Sequence, residues 1–149
     1  GIGFDAALKI VNSALLAKSG DESLSTMDIA ALDLYSGEVE LLKAGAPAAI
    51  LRKNGRAVVM DMPGLPIGIL NETQFARSSD SIGDGDLLVM LSDGALSSGS
   101  DWVCEEIEQW NGKLPQELAE SLVSHAIARR GDGHDDDITV LALMLSRIG

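Results

Sequence analysis

The sequence predicts a layered domain of helices and strands in which the sheets are mainly antiparallel. Segments with helical periodicity alternate with short strand-like runs, and turn signals such as Asn54-Gly55 join neighbouring strands as hairpins. The runs 87–91 and 138–145 carry apolar residues on both faces, so both faces need cover. We expect helices on one side and a second sheet on the other to provide that cover.

The order of the elements follows from periodicity and from the turn residues between them. We predict a helix over 4–18, a second one that Ser100 or Asp101 caps, and a third one that has Pro115 in its first turn. Glycine and proline make 63–68 a loop. The predicted strands are 27–35, 38–44, 48–52, 56–61, 73–79, 86–91 and 138–145.

Composition narrows the classes of partner. The 149 residues are 46% hydrophobic and 23% charged, which is typical of a folded globular chain. The formal net charge of -12 disfavours nucleic acid and anionic membranes as partners. It favours the local concentration of cations, although solubility alone also accounts for it. The single Cys104 excludes an internal disulfide, and we expect a packed or surface thiol there.

Targeting signals are not evident in the sequence. No run approaches the roughly 18 apolar residues that span a bilayer, and the N-terminus has no signal-peptide pattern. The chain begins with Gly1 and no Met, as a piece of a longer chain would. We expect a cytoplasmic protein, or one on the cytoplasmic face of a membrane if its parent has an upstream membrane region.

The densest cluster of chemistry-bearing residues is the acidic run 132–137, which directly precedes the last predicted strand. Two carboxylates about 4 Å apart repel by roughly 1 kcal/mol in water and by about 4 kcal/mol near a protein surface. A bound cation would turn that cost into a gain, whereas a solvated acidic loop is the alternative. Because side chains alternate along an extended segment, Asp136 points away from the side of Asp135 and Asp137, so a metal needs a further carboxylate.

Asp93 is the best candidate for that carboxylate. It follows the strand that ends at Leu91, and it meets Asp136 at one edge of the sheets if the two strands are antiparallel neighbours. Parallel strands would exclude this, and a plain turn residue before Gly94 is the alternative. Carboxylate oxygens favour Mg²⁺ or Mn²⁺, and two such ions activate a water for in-line attack on phosphorus. An EF-hand is excluded because its twelfth position, counted from Asp132, is Leu143.

These motifs resemble a known family. The segments 85–94 and 136–140 look like the last two metal-site motifs of the type 2C metal-dependent protein phosphatases. The segments 28–38, 43–47 and 65–69 are similar to the central part of the stage II sporulation protein E subfamily. The resemblance covers nearly all of the chain, and the order and spacing of the motifs make it specific.

The resemblance implies an α+β fold, a helix–sheet–sheet–helix (αββα) sandwich with mainly antiparallel sheets and two Mn²⁺ or Mg²⁺ ions at one end. It implies hydrolysis of phosphoserine or phosphothreonine on a protein. In this bacterial sporulation subfamily that protein is a phosphorylated anti-sigma-factor antagonist, whose release activates a sigma factor. Asp93 and Asp136 are then metal ligands, with Gly94, Asp135 and Asp137 in support. No side chain is catalytic beyond the metal-bound water.

One departure from the family pattern stands out. The first metal motif of the family, D-G-x-G, should precede the first helix, and this sequence lacks it. We therefore expect a single phosphatase-like domain over 1–149 that is truncated at its N-terminus and has weak or no activity by itself. A non-catalytic module that binds a phosphorylated regulator is the alternative function. Missing strands would also leave open sheet edges, which predicts a possible homodimer.

Overall fold

The alternation of helical and strand segments is present in the structure, a computed structural model that describes residues 4–18, 25–69, 75–131 and 136–146. The described residues form three α-helices and two antiparallel sheets, which confirms the α+β fold class. The helices are α1 (Phe4–Lys18), α2 (Asp101–Gln109) and α3 (Pro115–Arg129), and a 3₁₀ helix spans Asp93–Leu96. The strands are β1 (Met27–Leu32), β2 (Glu38–Ala44), β3 (Ala49–Lys53), β4 (Arg56–Met60), β5 (Ala76–Ser81), β6 (Leu87–Leu91) and β7 (Val140–Met144).

The strands form a three-stranded sheet in the order β1-β2-β5 and a four-stranded sheet in the order β4-β3-β6-β7. The chain divides into two compact units. Apart from one end residue each of β2 and β5, the first unit holds α1 and the three-stranded sheet, and the second holds the four-stranded sheet with the 3₁₀ helix, α2 and α3. None of the helices in the described ranges has the length and apolar character needed to cross a membrane.

In the first unit, two buried polar side chains make specific contacts. Lys43 on β2 is 1% exposed, and its Nζ lies 2.5 Å from the Asp28 carboxylate on β1, where the two residues are cross-strand partners. Asn12 of α1 is 2% exposed, and its Oδ1 accepts a hydrogen bond from the Gly68 amide. Burial of such groups is tolerated because each has a hydrogen-bond partner.

In the second unit, the predicted hairpin at Asn54-Gly55 is confirmed. β3 and β4 pair antiparallel around this turn, and Asn54 and Gly55 have φ values of 51° and 79°, the left-handed conformation that tight hairpins require. The core of the unit lies between the four-stranded sheet and helices α2 and α3. Its fully buried apolar side chains include Ile50, Leu87, Val89, Val103, Ile107, Leu118 and Leu122.

Two predictions from the sequence are wrong. The last strand was predicted over 138–145 with both faces covered, but β7 lies at an edge of the four-stranded sheet, and Leu141 is 52% exposed. An edge strand has a neighbour on one side only, so an apolar sequence does not ensure burial. Ser100 precedes α2 without capping it through its side chain, because its φ of -98° and ψ of -14° are helical rather than extended.

Candidate metal centre

A site at Asp93 and Asp136 requires the strands next to them to be antiparallel neighbours, and this requirement is met. β6 and β7 are direct antiparallel neighbours, with Leu91 opposite Val140 at the end of the ladder. The segment that follows β6 and the segment that precedes β7 therefore lie side by side at the same end of the sheet. Asp93 belongs to the first segment, and Asp136 and Asp137 belong to the second.

Backbone and side-chain hydrogen bonds join these two segments. The Ser92 amide donates to the Thr139 carbonyl at 3.0 Å, which extends the ladder by one residue. The Thr139 amide donates to the Ser92 hydroxyl oxygen at 2.9 Å, and that hydroxyl donates to the Asp137 carbonyl at 3.0 Å. The 3₁₀ helix with Asp93 thus starts directly against the residues that lead into β7.

Gly94 allows the two segments to approach each other closely because it has no side chain. A Cβ atom at this position would lie 2.7 Å from the Asp137 carbonyl oxygen and 3.2 Å from the Asp136 Cβ. A side chain larger than hydrogen would therefore force the segments apart. The Gly94 amide donates to Asp93 Oδ1 at 3.0 Å, which orients the carboxylate at the start of the turn.

The three aspartates at this end of the sheet are solvent-exposed. None of Asp93, Asp136 and Asp137 forms an ion pair with a described residue. Among the described residues, no basic side chain pairs with these carboxylates, so a cation at this end of the sheet would meet uncompensated negative charge.

The donor set fits a hard divalent cation. The described side chains at this end offer carboxylate oxygens, and Mg²⁺ typically binds through one or two carboxylates while it keeps several waters. Within the ranges that the structure describes, no three or more His, Cys, Asp and Glu side chains are grouped so that they could hold a metal ion. Asp93 and Asp136 lie on neighbouring segments at the same end of the β6–β7 pair. Asp135 lies outside the described residues, and the ligand roles of Asp93 and Asp136 stay predictions.

One residue of this site was missed by the sequence reasoning. Ser92 was treated only as part of the motif before Asp93, although its hydroxyl makes two of the contacts that join the segments. The available signal was its position: a hydroxyl residue stands where an apolar strand ends and a turn begins. Serine at such a point often bonds to backbone groups.

Two other reactive side chains lie on the helices of the second unit. Burial, with Asp101 and Glu108 nearby, raises the pKa of the half-buried Cys104 thiol, which keeps it protonated at neutral pH and unsuited to nucleophilic attack. His125 on α3 is exposed, and its Nδ1 lies 2.7 Å from the Glu106 carboxylate on α2.

The fold is that of the PP2C-type serine/threonine phosphatases. The serine/threonine phosphatase PstP/Ppp of Mycobacterium tuberculosis superposes with a TM-score of 0.76 over 96% of this chain and 71% of its own, at 18% sequence identity. At that identity the similarity shows the fold alone. This class of protein is also the one that the two aspartate motifs indicated.

A family model described as stage II sporulation protein E (SpoIIE) matches residues 1–146, and the chain belongs to that family. The stage II sporulation protein E of Bacillus subtilis (strain 168) is 30% identical over 97% of this chain, which spans 18% of that protein. A solved B. subtilis SpoIIE structure with the PP2C phosphatase domain and a fragment of the regulatory domain has a TM-score of 0.84 and 30% identity, covering 98% of this chain and 46% of its own.

Proposed function

We propose that this chain is the C-terminal part of a SpoIIE-type phosphatase domain, in which Asp93 and Asp136 bind Mn²⁺ or Mg²⁺ at one end of the four-stranded sheet. The antiparallel β6–β7 pair carries the proposal, because it brings the two aspartate segments to one end of the sheet. A B. subtilis SpoIIE phosphatase domain was presoaked with Mn for structure determination, which supports the choice of metal.

In the proposed reaction, phosphoserine or phosphothreonine on a regulatory phosphoprotein is hydrolysed. Mn²⁺ or Mg²⁺ held at this end of the sheet would supply the chemistry of an activated water for that hydrolysis. Asp93 and Asp136 hold the metal, while Gly94 allows their segments to approach each other. Asp137 and Asp135 support the site. An anti-sigma-factor antagonist is the proposed substrate, and the cytoplasm or the cytoplasmic face of a membrane is the proposed location, both through family membership.

A non-catalytic module that binds a phosphorylated regulator is the second candidate. The two candidates differ in turnover, because a module would bind a phosphoprotein without releasing phosphate.

Phosphate release from a phosphoserine peptide with Mn²⁺ tests the proposal. We expect the parent protein to be active only with metal, and the 149 residues alone to have weak or no activity. Asp93→Asn and Asp136→Asn in the parent should each lower kcat/KM by at least about 100-fold, because metal ligands are lost. Asp61→Asn, an exposed aspartate at the end of β4, is the matched control.

Three results would count against parts of this account. Turnover that persists in both aspartate variants, or without metal, would exclude the proposed metal centre. Rapid Mn²⁺-dependent turnover by the 149 residues would exclude the need for a D-G-x-G motif. Tight binding of the phosphopeptide by the parent with no phosphate release would favour the non-catalytic module.

A homodimer through the sheet edges is also proposed. β4 and β7 are the outer strands of the four-stranded sheet, and both carry exposed apolar residues, with Val58 53% and Leu141 52% exposed. Outer strands of this kind can pair with a second copy. Light scattering of the chain should give a dimer mass, and a monomer at all concentrations would contradict the proposal.

A further inference from the structure

The end of the β6–β7 ladder next to the carboxylates is built differently from an ordinary ladder. In a hydrogen-bonded antiparallel pair, each residue donates its amide to the carbonyl of the other. The Ser92 amide donates a hydrogen bond to the Thr139 carbonyl at 3.0 Å, but the Thr139 amide does not donate one to the Ser92 carbonyl. It bonds to the Ser92 hydroxyl oxygen at 2.9 Å instead.

The Ser92 carbonyl has another partner. It accepts a hydrogen bond from the Ala95 amide at 3.0 Å, which closes the 3₁₀ turn that contains Asp93. The chain therefore leaves the ladder at Ser92, and the serine hydroxyl replaces the carbonyl that the turn has taken. A serine hydroxyl can do this because it offers both a donor and two acceptor lone pairs.

The Ser92 hydroxyl also donates a hydrogen bond to the segment that precedes β7. The Ser92 hydroxyl donates to the Asp137 carbonyl at 3.0 Å. One side chain thus holds two backbone groups, at Thr139 and at Asp137, on the segment that carries Asp136. Two positions after Ser92, Gly94 leaves room for this contact, since a Cβ there would lie 2.7 Å from the Asp137 carbonyl oxygen.

We propose that Ser92 is a positioning residue for the metal site: its hydroxyl ties the Asp136–Asp137 segment to the turn that carries Asp93. This inference rests on the proposed function. Alanine at this position would leave the Thr139 amide and the Asp137 carbonyl without their partner, and the Asp136–Asp137 segment would lose its tie to the turn that carries Asp93. Threonine would keep the hydroxyl and therefore the tie.

The test compares Ser92→Ala and Ser92→Thr with two control variants in the 149-residue chain. Ser98→Ala removes a nearby exposed hydroxyl for which the structure shows no hydrogen bond. Val103→Ala destabilises the buried core of the same unit and leaves every residue of the site unchanged. Two quantities are measured: Mn²⁺ affinity by calorimetry, and hydrogen exchange of the Thr139 amide by NMR.

We expect Ser92→Ala to weaken Mn²⁺ binding by about 10-fold, the lower end for a lost partner behind a metal ligand. Exchange of the Thr139 amide should quicken by about 2–10-fold, the factor for one lost hydrogen bond. Ser92→Thr should restore both quantities, and neither control should change them, even though Val103→Ala lowers Tm.

The proposal is overturned if Ser92→Ala leaves either quantity unchanged, or if Val103→Ala weakens Mn²⁺ binding as strongly, since that would reflect stability alone. If the wild type binds no Mn²⁺, the proposed function fails in this chain, and the exchange of the Thr139 amide decides separately about Ser92. Faster exchange in Ser92→Ala then upholds the tie between the segments, and unchanged exchange overturns it.

Discussion

The two ends of the β6–β7 ladder use aspartate in opposite ways. At the end next to Gly85, backbone bonds continue the ladder, from the Gly85 amide to the Leu145 carbonyl at 2.8 Å and from the Leu145 amide to the Asp86 carbonyl at 3.2 Å. The Asp86 carboxylate accepts the amides of Asn54 and Gly83 at 3.1 and 2.7 Å. At the other end, a serine hydroxyl replaces a backbone group, and the carboxylates face solvent.

This difference separates a structural aspartate from candidate ligands. Both oxygens of Asp86 accept hydrogen bonds from backbone amides, so this carboxylate stabilises two turns. Asp136 accepts no hydrogen bond from a described residue and repels its acidic neighbours. Residue type and sequence context look alike at the two ends, whereas hydrogen bonding tells them apart.

A side chain at Gly94, at the end of the ladder near Asp93, is expected to have the largest effect on stability. Gly94→Ala should lower the free energy of unfolding by about 1–3 kcal/mol, because the new Cβ meets the backbone at Asp137 and the segments must move apart. Urea unfolding measures this. Gly131→Ala, where a Cβ would meet nothing within 4 Å, is the matched control, and equal stability of the two variants would contradict the close approach.

A smaller effect is expected at the opposite end. Asp86→Ala should cost roughly 1–2 kcal/mol of unfolding free energy, because the Asn54 and Gly83 amides lose a charged acceptor and only partly regain water. Mn²⁺ affinity should stay unchanged. Asp136→Ala should instead weaken Mn²⁺ binding and change the free energy of unfolding by no more than about 0.5 kcal/mol. Loss of Mn²⁺ binding in Asp86→Ala would erase the distinction between the two ends.

The smallest effect concerns pH and lies away from the ladder. Burial raises the pKa of the Cys104 thiol, so the folded chain holds its proton more tightly than the unfolded chain does. The contribution of this thiol to stability should therefore be constant below its unfolded pKa of about 8.5 and fall slightly as the pH rises above that value. Cys104→Ala should remove the part of the fall that depends on this thiol. An identical decline in that variant would assign the pH dependence to other groups.

Much of this fold could be predicted from local sequence, because turns and helix starts depend on nearby residues. Asn54-Gly55 marked the hairpin, and Pro115 marked the first turn of α3. The edge position of β7 could not be predicted, because strand order depends on tertiary packing. The apolar runs of β6 and β7 are nearly indistinguishable in sequence, yet β6 is central and almost wholly buried.

The candidate site could be predicted only in part, because some of its features are local in sequence and others depend on long-range contacts. Asp93 and Asp136 are visible as carboxylates at strand ends, and only their antiparallel pairing had to be assumed. The role of Ser92 was not visible, because a hydroxyl that substitutes for a carbonyl in a ladder needs partners 45 and 47 positions away in the chain. No local pattern encodes contacts of that kind.

The central claim is that Asp93 and Asp136 share one metal site. Calorimetric titration of Mn²⁺ into the wild type, Asp93→Asn and Asp136→Asn tests it most directly, first in the 149-residue chain and then with an upstream D-G-x-G segment restored. We predict binding by the wild type and at least about 10-fold weaker binding by each variant, because each loses a charged ligand. Unchanged affinity in either variant, or no binding even with the upstream segment, would contradict the claim.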